Sequence, residues 1–363
     1  MKILFNNCGG KREIGMVSII CPIENNYNFR DFSIAHIAEH CMARSIVKCL
    51  RKDTNYRALK LSRYVSGKTS FNMTMINLKF EQSCNSYVYD VISDINNFKN
   101  IRLEDFEDEK VKVVNEYCDY NLNSQLHNVT CKLFSIKGIS DAATIISSIS
   151  LKEVTDFIDK YFRSELVYII TTNPLQVNYL KNSLESCNNL SKEYFKIQED
   201  FNNSIDNNNW GGIKVPTAIN LKEYYCYELL FIYVSNIYRH FYKDSTYTGV
   251  FHFKLGSYTL YKINCSSFEF RRRIKEILMS LDEDLFYMFK EDYEMQLKFK
   301  LDHLIENQLY KIKIFKLFGF FESDMAPYYD SLQNIKIYDV GELADKILKH
   351  DFLFSILDEL EWS

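Results

Sequence analysis

Residues His36-Ile37-Ala38-Glu39-His40 form an H-x-x-E-H pattern. On a helix, positions i, i+3 and i+4 share one face, so His36, Glu39 and His40 would project together. Two imidazoles on one face can hold a zinc ion, and a carboxylate beside them can take a proton from a water the ion has acidified. The pattern inverts the commoner H-E-x-x-H zinc motif. A catalytic zinc needs a third protein ligand and an open position. Glu116, seventy-six residues after His40 (116 − 40), is the candidate third ligand. Glu109 lies two helical turns before it and would hydrogen-bond a ligand from behind.

These residues must stand on helices. Ser33 reads as an N-cap, and 34–50 contains no Gly or Pro, with Ile34, Ile37, Cys41, Ile46 and Cys49 as an apolar stripe. A second helix is expected over 103–122, with Phe106, Val113 and Tyr117 for packing.

At 363 residues the chain is long enough for two domains. It is 47% hydrophobic and 25% charged, as in a globular protein, and a net charge of -4 argues against nucleic-acid or anionic-membrane partners. No stretch of about eighteen apolar residues exists to span a membrane. Residues 1–15 carry charges without an apolar run, so no signal peptide is expected. Ten cysteines without a C-x-x-C pair suggest reduced thiols and a cytoplasmic protein.

Taken in order, 16–22 reads as a buried strand before the His-bearing helix. Segments 58–65 and 69–80 read as a hairpin turning at Ser66-Gly67-Lys68, with Phe71, Met73 and Met75 alternating against Asn72, Thr74 and Ile76. Helices are expected over 82–98, 103–122 and 151–162, then a strand over 166–172. The Asn-rich stretch ending in Trp210-Gly211-Gly212 reads as a linker over 191–216, between domains 1–190 and 217–363. Beyond it come a Tyr-rich helix over 219–242, a hairpin of 249–255 and 258–265, and helices over 268–289 and 293–316. Both halves run helix, hairpin, helix, helix, which suggests a duplicated unit whose second copy lacks H-x-x-E-H.

Ala35-His36-Ile37-Ala38-Glu39-His40 together with the Glu109/Glu116 pair resembles the pitrilysin-type inverzincin metallopeptidases in spacing and order. Ser33 stands where that family usually has Gly, and Cys41 where it often has Met. The resemblance implies an α+β fold of two similar domains, each a mostly antiparallel sheet backed by helices, with Zn²⁺ in one copy. It implies peptide hydrolysis, with His36, His40 and Glu116 on the metal and Glu39 as general base. Substrate would add as a strand along Thr69, Ser70 and Phe71. An Arg and a Tyr from the second half would hold substrate and polarise its carbonyl; Tyr247 fits, while Arg239 lies a residue or two too far upstream. Either Arg239 acts through a shifted loop or a partner subunit supplies those groups. Family members enclose substrate between two two-domain halves, so a heterodimer with a homologous partner, or a homodimer, is expected. Precursor-peptide trimming fits the short length. The rival reading is a non-catalytic, peptide-holding or scaffold subunit.

Overall fold

The computed structural model describes residues 2–6, 14–23, 28–52, 65–70, 73–81, 100–118, 133, 142–162, 167–172, 210–242, 245–253, 256–318, 321–322 and 324–356. The chain divides into two units, Met1–Leu190 and Ser191–Ser363.

In the first unit the described elements are β1 (Lys2–Phe5), β2 (Ile14–Pro22), α1 (Phe29–Lys52), β3 (Val65–Ser70), β4 (Met73–Glu81), α2 (Leu103–Cys118), α3 (Ala142–Ser147), α4 (Leu151–Tyr161) and β5 (Tyr168–Thr171). The strands form one sheet in the order β1-β5-β2-β4-β3, antiparallel except for the β1/β5 pair. Val17, Ile19 and Cys21 of β2 join Ile76, Leu78 and Phe80 of β4 in the core that α1 covers. Ile34, Ile37, Ala38, Cys41, Ile46 and Leu50 meet it from α1, the i, i+3, i+4 stripe of an amphipathic helix. Each of the isoleucines and Leu50 among them contributes about 1.5–3 kcal/mol on burial, which holds α1 in one rotation and so fixes where its two histidines point.

Several boundaries differ from expectation. α1 starts at Phe29, not at Ser33: Asn28 Oδ1 accepts from the Asp31 amide (2.7 Å), as a helix cap does. Ser33 lies inside the first turns and donates its hydroxyl to the Phe29 carbonyl (2.7 Å). Ser66-Gly67-Lys68 is not a turn. It lies within β3, and Ser70 pairs with Met73. Glycine is needed at 67 for a close approach: a Cβ there would fall 1.6 Å from Glu39 Oε1. The expected two-sided alternation in β4 is replaced by burial of Met73 through Leu78 on both faces. The sequence reading missed β1 and α3, and its expected strand 58–64, helix 82–98 and end of helix 119–122 lie outside the described residues.

The second unit contains β6 (Trp210–Val215), α5 (Leu221–Phe241), β7 (Ser245–Phe253), β8 (Gly256–Ile263), α6 (Ser267–Met279), α7 (Glu283–Asp302), α8 (Leu304–Phe318), α9 (Ala326–Gln333), α10 (Ile337–Lys349) and β9 (Leu353–Ile356). Its sheet runs β7-β8-β6-β9, all antiparallel. Without β1, the first sheet reads β3-β4-β2-β5, the same order of strand, hairpin and closing strand. The chain is therefore a duplicated α+β unit.

Trp210-Gly211-Gly212, expected in a linker, opens the buried strand β6; residues 191–209 lie outside the described residues. A Cβ on Gly212 would meet the Thr259 carbonyl oxygen at 2.0 Å, so this glycine too serves strand packing rather than flexibility. The helix expected over 268–289 is two helices. Ser280 ends α6, and Asp282 caps α7 by accepting from the Leu285 amide (2.9 Å). The helix expected over 293–316 is likewise divided at His303 between α7 and α8. Gly256-Ser257 lie within β8, where they pair with Phe253 and His252 of β7. Residues 326–356, unassigned from sequence, supply α9, α10 and β9. No described helix is long and apolar enough to cross a membrane.

Candidate metal centre

α1 and α2 lie side by side with a polar seam between them. Along α1, His36, His40, Arg44 and Lys48 recur every four residues, so they form one ridge. Its partners on α2 run the opposite way. Lys48 pairs with Asp105 (2.5 Å), and Arg44 with Asp105 (3.0 Å), Asp108 (2.9 Å) and Glu109 (2.8 Å). His40 pairs with Glu109 and Glu116, and His36 with Glu116. The Arg44 fork thereby sets the register that brings Glu116 to the histidines. Arg44, Lys48, Asp105 and Asp108 were missed from sequence. Their signal was a basic residue four and eight positions after His40, with acidic residues eight and eleven positions before Glu116.

At the end of this seam, Glu116 Oε2 lies 3.3 Å from His36 Nε2, and Glu116 Oε1 lies 3.5 Å from His40 Nε2. The His36 and His40 rings have centroids 4.9 Å apart, and the three ligand atoms lie within 4.8 Å of one another. Tetrahedral zinc ligands at about 2.0–2.1 Å from the ion stand roughly 3.4 Å apart. Two imidazole nitrogens and a carboxylate at these separations suit Zn²⁺ and leave a fourth position for a reactant. His40 Nδ1 lies 3.2 Å from Glu109 Oε2, which places the proton on Nδ1 and leaves Nε2 as an electron-pair donor. His36 Nδ1 is buried and has no hydrogen-bond partner among the described residues; the Phe32 and Tyr117 rings pack near the His36 ring, with centroids at 6.1 and 5.9 Å.

Burial opposes charge on Glu109, yet hydrogen bonds from His40, Lys112 and Arg44 bring its carboxyl down to about 2. Glu116 is also held below the usual carboxylate range, first by its bond with His36. Glu39 goes the other way. Burial raises its carboxyl against the pull of His36, His40 and the Thr69 hydroxyl. Its Oε2 lies 4.0 Å from His36 Nε2 and accepts from Thr69 Oγ1 (3.2 Å). A buried carboxylate poised to gain a proton beside an open ligand position is suited to general-base work. An open groove of about 980 Å³ leads past Glu39, His40 and Glu116 along Val47, Val65 and Val111.

The other expected site residues are placed as follows. Thr69 faces Glu39, and Ser70 pairs with Met73 at the end of β3, the outermost described strand of its sheet. Phe71 lies outside the described residues. Arg239, near the end of α5, donates to its own helix at Asn236 Oδ1 (2.6 Å) and Ser235 O (3.4 Å). Tyr247 lies in β7 opposite Tyr261, beside a register shift before Gly249. Both belong to the second unit.

The fold defined here is that of M16-like peptidases. The chain superposes on a protein described as an M16-like peptidase from Alicyclobacillus acidocaldarius with TM-score 0.64 and 12% identity, covering 97% of this chain and 94% of that one. A protease from Helicobacter pylori gives 0.66 at 14% identity, covering 97% and 95%. The periplasmic protease PqqL from Escherichia coli gives 0.68 at 10% identity, covering 97% of this chain but 45% of that one. A chain of Complex III2 from Candida albicans gives 0.65 at 12% identity, covering 95% and 90%. No protein-family model and no curated protein matches the sequence.

Proposed function

We propose that this chain is a zinc-dependent endopeptidase subunit of the pitrilysin type, cytoplasmic, acting on peptides or unfolded segments. The observation that carries the reading is the convergence of His36, His40 and Glu116, with Glu39 buried beside them. His36, His40 and Glu116 would hold the ion, which would supply Lewis acidity to a water and to the scissile carbonyl. Glu109 keeps His40 in the tautomer that can donate an electron pair, and Arg44 and Lys112 keep Glu109 ionised. Glu39 takes the proton of the attacking water and delivers it to the leaving amine. The outer edge of β3 at Thr69 and Ser70 is offered as the strand on which extended peptide adds. Arg239 and Tyr247, or equivalent groups from a homologous partner in a heterodimer or homodimer, would clamp it. Precursor peptides are one substrate class proposed for it.

Zinc analysis of the purified chain, with and without a co-expressed homologous partner, tests this together with chelator-sensitive cleavage of a quenched fluorescent peptide. The expected result is one zinc per chain, with Glu39→Gln retaining the metal and losing turnover. Undiminished cleavage by Glu39→Gln sinks the assignment. The likeness to a chain of the assembly Complex III2 favours a second reading, a peptide-holding or scaffold subunit. Zinc binding without cleavage in any pairing would support it.

A further inference from the structure

Glu39 is gripped from β3 rather than from its own helix. Thr69 and Thr74 are directly opposite each other in the β3/β4 pair. Their hydroxyl oxygens are 3.4 Å apart, and Thr69 Oγ1 is 3.2 Å from Glu39 Oε2. A hydroxyl has one proton. Once Thr69 gives its proton to the carboxylate, Thr74, which is fully buried, must be the donor to Thr69. The other carboxylate oxygen occupies the space a side chain at position 67 would fill: an added Cβ would meet Glu39 Oε1 at 1.6 Å, Cδ at 2.3 Å and Cγ at 2.8 Å.

We infer that Thr69, Thr74 and the side-chain-free Gly67 are positioning residues for the Glu39 carboxylate, one oxygen aimed by a two-hydroxyl relay and the other seated in a notch of β3. This rests on the reading of Glu39 as general base, and it assigns Thr69 a task apart from contact with substrate. The strand proposed to receive peptide is also the strand that aims the base. Gly67 leaves the carboxylate its seat, because a side chain there would have to push the Glu39 carboxylate aside.

The contact can be tested without catalysis. In the full chain, Gly67→Ala in a strand would ordinarily raise stability slightly. Here it is expected to lower the thermal midpoint by about 5 °C, and Glu39→Ala in the same chain should restore most of that loss. An equal effect of Gly67→Ala with and without Glu39 overturns the inference. So does a Gly67→Ala chain as stable as wild type. In the zinc-loaded chain, Thr69→Val should lower kcat about tenfold, the worth of a hydrogen bond to a charged group, with KM and zinc content unchanged. Thr69→Ser should retain most of the rate, and Thr74→Val should lose less than Thr69→Val. Wild-type kcat in Thr69→Val, or equal losses for Val and Ser, overturns the relay. A wild-type chain without zinc or cleavage would instead sink the proposed function, and the stability cycle would still decide whether β3 seats Glu39.

Discussion

α1 and α5 take the same place in their units, after an antiparallel strand and before a hairpin, yet the polar groups they carry are handled in opposite ways. His36 and Glu228 each stand seven residues beyond the first residue of their helix, Phe29 and Leu221. Thr69 and His252 each stand one residue before the end of the following strand, Ser70 and Phe253. In the first unit Thr69 reaches Glu39; in the second His252 reaches Glu228 (3.0 Å). Glu228 Oε1 also accepts from Tyr224 Oη (2.7 Å) and Lys313 Nζ (3.1 Å), while His252 Nδ1 lies 2.8 Å from Ser257 Oγ. This second cluster is closed: the His252 side chain is 1% exposed and that of Glu228 11%, against 51% for Glu116. One frame thus supports two outcomes. Where polar groups satisfy one another, the site closes as an internal hydrogen-bond cluster. Where two imidazole nitrogens and a carboxylate face one point at the surface, the site can take a cation.

The largest effect expected is on the open cluster. Glu116→Ala removes one of the three proposed ligands and should weaken zinc binding by about a thousandfold, read by chelator competition; retained affinity would mean that the two units differ less than their geometry says. Next comes the closed cluster. Glu228→Ala leaves the buried His252 ring and Tyr224 hydroxyl without their acceptor and should cost about 2 kcal/mol, roughly 6 °C in the unfolding midpoint of the second unit. A neutral result would show the cluster to be dispensable filling. Glu109→Ala frees the His40 ring and should weaken zinc binding by about 10–100-fold, less than loss of a ligand. Acid should expose the closed cluster as well. Burial opposes charge on Glu228, but Lys313 and His252 beside it hold its carboxyl below the usual range. Its contribution is therefore complete above the unfolded pKa of about 4.3 and is lost as pH falls from there through the folded value. Unfolding midpoints measured across that interval should decline, and more shallowly in Glu228→Gln. Smallest is Lys48→Ala. Its side chain is 42% exposed, and the substitution should shift stability by less than about 0.5 kcal/mol. A larger shift would show that Arg44 alone does not set the α1/α2 register.

The chemistry-bearing residues were readable because helical periodicity is local: i, i+3 and i+4 place His36, Glu39 and His40 on one face wherever the helix packs. Periodicity likewise located most helices, and the repeated order of helix and hairpin revealed the duplication. Glycine was where reading failed. Gly67 and Gly212 carry the same local signal as a turn or linker residue, since a missing side chain gives no hint of what will fill its space. Only the packed structure shows Glu39 against one and the Thr259 carbonyl against the other. Capping was misjudged at Ser33 because both Asn28 and Ser33 can cap, and the choice depends on how far the apolar stripe of α1 must extend over β2 and β4. The meeting of Glu116 with the two histidines was a matter of spacing in the sequence and became a matter of distance only through the fold. What decided it is the non-local pairing of Arg44 and Lys48 with Asp105, Asp108 and Glu109, which no window of neighbouring residues contains.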